Sequence, residues 1–226
     1  MAQEKQTLLE YLAKASKNGD DIPSIAELSQ ILGVSIANVR EQLEVARQLG
    51  FVEVRPRTGI QKRAFSMVPL IRLGMRYGVH SEPKILDDYI DMRKHLELVY
   101  WDPAFKVIND NQIDYMQFLV DVAFRKLQRK PAIIPHEEQS EFHLTIFRPL
   151  GNKLLINFLE AYWDLETTNS VRFFMDLDDM LSIWSRRQVL VDALREKNAI
   201  KGKKALESLL TYPIKPRAAE IKQQFE

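Results

Sequence analysis

Cysteine is missing from all 226 residues, which excludes disulfides, thiol chemistry and thiolate zinc sites. Long hydrophobic runs are missing too. Stretches such as Leu154–Leu159 (LLINFL) are far too short to span a bilayer. The amino end, MAQEKQTLLEYLAKAS, carries acids among its leucines and lacks the apolar core and small-residue cleavage site of a signal peptide. Neither charge sign dominates, since 32 Lys and Arg face 31 Asp and Glu. That balance argues against wholesale coating of nucleic acid but leaves room for a local basic patch. No solenoid repeat or low-complexity segment is visible. What remains is globular composition, 46% hydrophobic and 28% charged, and the expectation is a cytoplasmic protein with no membrane segment.

Glycine is scarce and unevenly spread. Gly19, Gly33, Gly50 and Gly59 punctuate the first sixty residues, whereas helix-length patterns dominate beyond Pro69. A junction is expected at Phe65 to Pro69, because a proline biases its predecessor toward extended geometry. The expected organisation is a small mixed domain over 1–66, a larger helical domain over 67–212, and a tail of low stability over 213–226.

Within the first domain, Leu8 to Ala15 has helical spacing. Ser24-Ile-Ala-Glu27 forms a capping box for a helix that stops at Gly33. Ser35 caps a longer helix through Leu49, ended by Gly50. Phe51 to Val54 alternates toward a strand, Arg55 to Gly59 reads as a turn, and a second strand is expected near Ile60 to Ala64. Leu28, Leu32, Val34 and Val39 are spaced to close a core between two crossed helices, with Ser29 small at the crossing. Helix, helix, turn, helix, hairpin is the order of a winged helix-turn-helix; an ordinary helical hairpin would use the same core. Arg55, Arg57, Lys62 and Arg63 crowd the hairpin, and Arg40 and Arg47 lie on the preceding helix, diluted by Glu41 and Glu44. Such charge suits phosphate contacts, although a solvated charged hairpin has the same composition.

These residues resemble a known family. Ile22–Ser35 (IPSIAELSQILGVS), Val39–Leu43 (VREQL) and Gly50–Gly59 (GFVEVRPRTG) are similar to the DNA-binding domain of GntR-type bacterial transcription regulators. Asp91–Glu97 (DMRKHLE), Phe142-His143, Gly151-Asn152 and the helices around Asp192–Leu194 and Ala205 resemble the all-helical, FCD-like effector domain of their FadR branch. The likeness reaches to about Leu210. It implies a mainly α protein, a winged helix-turn-helix followed by an antiparallel helical bundle. It further implies a homodimer that binds a palindromic double-stranded DNA operator and is controlled by a small-molecule effector. Two familiar DNA-contacting arginines fall here at Ala26 and Ile36, while Arg40 matches. Ser35, Asn38, Arg40, Arg57 and Gly59 carry over as DNA contacts, with Asn38 suited to adenine and Arg40 to guanine.

Many effector domains of this branch hold a divalent metal. The matching positions here are Gln139, His143, Arg187 (or Arg186, one residue out) and Leu209, so a single ligand survives. His136 lies seven helical residues from His143, about 10 Å away, and His80 and His95 have no ligand-spaced partner. The expectation is therefore no metal and no cofactor, with Arg187 supplying permanent positive charge to a carboxylate effector. Arg93 matches a pocket-facing position, and Gln139 and His143 are expected to add hydrogen bonds. Arg187 also fits a surface arginine on an amphipathic helix, and His143 a core histidine. Tyr162, Trp163, Phe173, Phe174 and Trp184 form a dense aromatic stretch, mostly core. An enzymatic helical domain, or an assembly module whose winged helix binds protein, are the alternatives. The enzyme alternative finds no Ser-His-Asp spacing, phosphate-binding glycine loop or metal cluster to support it.

Overall fold

The computed structural model describes residues 6–14, 21–55, 59–168 and 176–212. The chain divides into two compact units between Gly74 and Met75.

The first unit is a winged helix-turn-helix. It runs α1 (Leu8–Lys14), β1 (Asp21–Ile22), α2 (Ile25–Leu32), α3 (Ile36–Gln48), β2 (Val52–Arg55) and β3 (Gly59–Lys62). Local chemistry sets the helix ends. Ser24 Oγ accepts from the Glu27 amide at 3.3 Å while Glu27 Oε2 accepts from the Ser24 amide at 2.8 Å, which satisfies two donors that the first turn leaves open. Gly33 closes α2 at φ 62°, where a side chain would be strained. Ser35 then caps α3 by accepting from the Asn38 amide at 3.2 Å; a cap of this kind contributes about 1 kcal/mol.

The sheet order is β1-β3-β2, antiparallel throughout. The hairpin sits slightly off the expected spans, with β2 one residue later than Phe51 to Val54 and β3 ending at Lys62 rather than Ala64. β1 was not expected at all. Its two residues pair as Asp21↔Gln61 and Ile22↔Ile60, too short a run to show alternation. Leu8, Leu12, Ile22, Leu28, Leu32, Val39, Leu43, Ala46, Val52 and Ile60 form one buried core, against which Val34 packs.

The chain continues through α4 (Val68–Ser81), which starts one residue before Pro69 and contains the division between the units. Proline early in a helix loses no intrahelical bond. The second unit continues with α5 (Ile85–Val107), α6 (Asp110–Leu127), α7 (His136–Phe147), a single 3-10 turn (Arg148–Leu150), α8 (Lys153–Thr168), α9 (Leu177–Arg195) and α10 (Ala199–Leu210). α9 packs on α6 and α10, α10 on α5, and α7 on α5, α6 and α8. The α5–α10 seam is set by Trp101, fully buried, whose indole N–H donates to the Ala199 carbonyl at 3.1 Å. Gly202 permits that approach, since a Cβ there would overlap the indole ring. Among the described residues no helix is long and apolar enough to cross a membrane.

Candidate functional site

Two groups of residues stand out, one on each unit. On the winged unit, α3 buries Val39, Leu43 and Ala46 and exposes Ile36, Ala37, Arg40 and Glu41. Arg40 makes no ion pair or side-chain hydrogen bond among the described residues. Two other arginines of this unit are already engaged. Arg47 grips Glu44 through two bonds of 2.8 and 2.6 Å, and Arg55 holds Glu53 at 2.7 and 3.1 Å. Asn38 is tethered: its Oδ1 accepts from Gln42 Nε2 at 2.6 Å, and Gln42 Oε1 accepts in turn from the Leu8 amide at 2.7 Å. This link leaves the Asn38 amide hydrogens as its most available groups. Gly59 opens β3 at φ 75°, opposite Arg55. Arg57 lies outside the described residues.

The second group sits inside the helical bundle. Arg93 and Glu97 stand one turn apart on α5, Gln139 and His143 one turn apart on α7, and Arg187 projects from α9. His143 Nδ1 lies 2.7 Å from Glu97 Oε2, and Arg93 Nε lies 3.0 Å from Glu97 Oε1. Gln139 Nε2 donates to Glu166 Oε2 on α8 at 3.0 Å. Aromatic rings cover the cations. Arg93 Cζ is 4.5 Å from the Trp163 ring and 4.8 Å from Tyr162, and Arg187 Cζ is 4.4 Å from Trp184. The four effector-binding candidates of the sequence thus share one neighbourhood. Glu97 and Glu166 were not among them. The Arg93-x-x-x-Glu97 spacing was the available signal for the first; Glu166 had none. Phe173 and Phe174 lie outside the described residues.

Burial and neighbouring charge act against each other throughout this cluster. Burial alone would raise the Glu97 carboxyl, but His143 and Arg93 outweigh it and hold it below the ordinary carboxylate range. Burial pushes His143 down to about 4, so at neutral pH the ring is uncharged and its N–H donates to Glu97. Burial raises the Glu166 carboxyl against the pull of Arg93, and lowers Arg187 to about 9, still protonated at neutral pH. Arg187 is 3% exposed, yet among the described residues its Nε and Nη1 meet no hydrogen-bond acceptor, and neither does the buried Trp163 Nε1. Unsatisfied buried donors are costly and rare. Here the same helical bundle holds all three, and each calls for an acceptor.

The divalent metal implied by the resemblance does not fit these residues. Arg187 offers only donors, the Gln139 amide is turned to donate to Glu166, and Leu209 is a buried apolar side chain. Among the described residues no cluster of three His, Cys, Asp or Glu is placed to hold an ion. Two grooves elsewhere on the bundle, of about 620 Å³ along α9 and α10 and about 400 Å³ between α5 and α10, contain none of the cluster residues.

Comparison with known proteins follows this division of labour. Residues 88–212 match the FCD domain family. The solved structure of Streptococcus agalactiae GntR superposes with a TM-score of 0.60 at 19% identity, over 90% of this chain and 92% of that one. E. coli McbR/YncC is similar at a TM-score of 0.47 and 19% identity, over 95% of this chain and 92% of that one. No curated protein matches. With more than half its length matched, the chain belongs to the FCD-domain family, and it carries the winged helix-turn-helix and helical-bundle fold of GntR-type regulators.

Proposed function

We propose that this chain is a ligand-responsive transcription regulator of the FadR branch, cytoplasmic, that binds a palindromic operator as a homodimer. α3 is its recognition helix, contacting DNA through Ser35, Asn38 and Arg40, with the hairpin residues Arg57 and Gly59 at the backbone. The homodimer follows from a single recognition helix per chain, because one such module seldom gives enough specificity alone.

The effector is a small carboxylate-bearing metabolite held by Arg93, Gln139, His143 and Arg187. The observation that carries this reading is the buried Arg187 guanidinium with two unsatisfied nitrogens, in a bundle that also leaves the buried Trp163 N–H unsatisfied among the described residues. An anion supplies the acceptors all three lack, and it supplies them without a metal. No catalytic step is assigned to His143, whose Nδ1 is committed to Glu97.

The test begins with duplex selected from genomic fragments by the purified chain. Small carboxylates are then screened for a shift in that affinity, followed by calorimetry on wild type and Arg187→Met. A coupling of about 1–3 kcal/mol between acid and DNA is expected, and it must be reciprocal. An acid that shifts DNA binding equally in Arg187→Met places the effector elsewhere.

A further inference from the structure

Ile36 occupies the first position of α3 and is 46% exposed. Packing does not require it, since the core side of the helix is completed by Val39, Leu43 and Ala46. Its place on the helix is specific. It follows the Ser35 cap directly and precedes Arg40 by four residues, so the two side chains stand one turn apart on one flank. The leading turns of a recognition helix are the part that meets base edges. A branched aliphatic side chain there offers nothing to a phosphate and no hydrogen bond to a base. The apolar feature that the major groove presents is the C5-methyl of thymine. We propose that Ile36 is a specificity-determining residue that packs on a thymine methyl of the operator, adjacent to the base pair contacted by Arg40. Neighbouring Ala37 is exposed and small, which lets the helix seat closely enough for that contact.

The inference rests on the regulator reading above, and its test separates the two. A random duplex library is selected with the purified full chain, and each thymine of the best binder is replaced in turn by deoxyuridine. That exchange removes one methyl and leaves every base-edge hydrogen-bonding group in place. Wild type is expected to lose about fourfold in affinity at one thymine or its symmetry mate, the equilibrium equivalent of about 0.8 kcal/mol for one buried methyl. Ile36→Ala is expected to bind the thymine duplex more weakly and to be indifferent to deoxyuridine at that position. Ile36→Val, which keeps a branched apolar surface, retains the sensitivity. Residual binding to random duplex at low salt reports that the variants remain folded. Indifference of wild type to every substitution overturns the proposal, and so does an Ile36→Ala variant as sensitive as wild type. Failure of the library to enrich any duplex removes the regulator reading itself, and the thymine contact with it.

Discussion

Nδ1 of His143 lies 2.7 Å from Oε2 of Glu97, with both side chains withdrawn from solvent. Glu97 is thus shared between a neutral imidazole on α7 and the guanidinium of Arg93 on its own helix. One buried carboxylate links two elements of the bundle and compensates part of its positive charge.

A pH dependence follows, with a definite sign. In the unfolded chain His143 titrates near its ordinary 6.5, whereas burial holds it at about 4 in the folded protein. Between those values the unfolded state binds more protons, so stability falls as pH falls through the window and is unaffected by this group above it. The expected loss from His143 is about 2 kcal/mol between pH 7 and pH 5. Urea denaturation of wild type and His143→Gln at the two pH values measures it, and the variant should show the shallower decline.

Removing the shared carboxylate is expected to be severe. Glu97→Ala leaves Arg93 without its buried counterion and the His143 N–H without an acceptor, at a cost of about 3–5 kcal/mol. Glu97→Gln should cost less, because it keeps an acceptor for His143. Denaturation midpoints of the three proteins give the order.

Arg187 should behave in the opposite way. Its guanidinium is buried with two nitrogens unsatisfied among the described residues, and an apolar chain of similar length removes donors whose burial without acceptors costs about 1–3 kcal/mol. Arg187→Met is therefore expected to unfold at equal or higher urea than wild type while losing its response to the effector. A large destabilisation would show that Glu166 and Trp184 already compensate the charge.

The cations of the winged unit should divide by their partners. Arg40 has no ion pair or side-chain hydrogen bond among the described residues, and Arg40→Ala should weaken specific binding by about 1–3 kcal/mol and relax preference at one base position. Arg47 and Arg55 are held by Glu44 and Glu53, so alanine at either should change operator affinity much less. Retardation assays on operator and scrambled duplex at matched salt distinguish the two classes.

Legibility in the sequence followed the range of the interaction. The Ser24–Glu27 box, the Gly33 stop and the Ser35 cap are local, and each sets a helix end where its residue type indicates. β1 could not be read, because two residues gain strand geometry only from their pairing with β3. The effector candidates came from resemblance, and the bundle gathers them, but Glu97 was missed as a site residue. A glutamate on a long helix reads as a solvated group until the helix packed against it is known. Arg55 read as part of a basic hairpin and Arg47 only as diluted by Glu41 and Glu44, because the specific pairs Arg55–Glu53 and Arg47–Glu44 depend on side-chain conformation. The tie from Asn38 through Gln42 to the Leu8 amide joins α3 to α1 across 34 residues, beyond any periodicity.

The central claim is that this chain reads a DNA sequence. The most direct measurement is the affinity of the purified protein for its selected operator and for a scrambled duplex of the same length, at 150 mM salt. Specific binding should exceed non-specific binding by at least about 10³-fold. Equal affinities for the two duplexes would contradict the account.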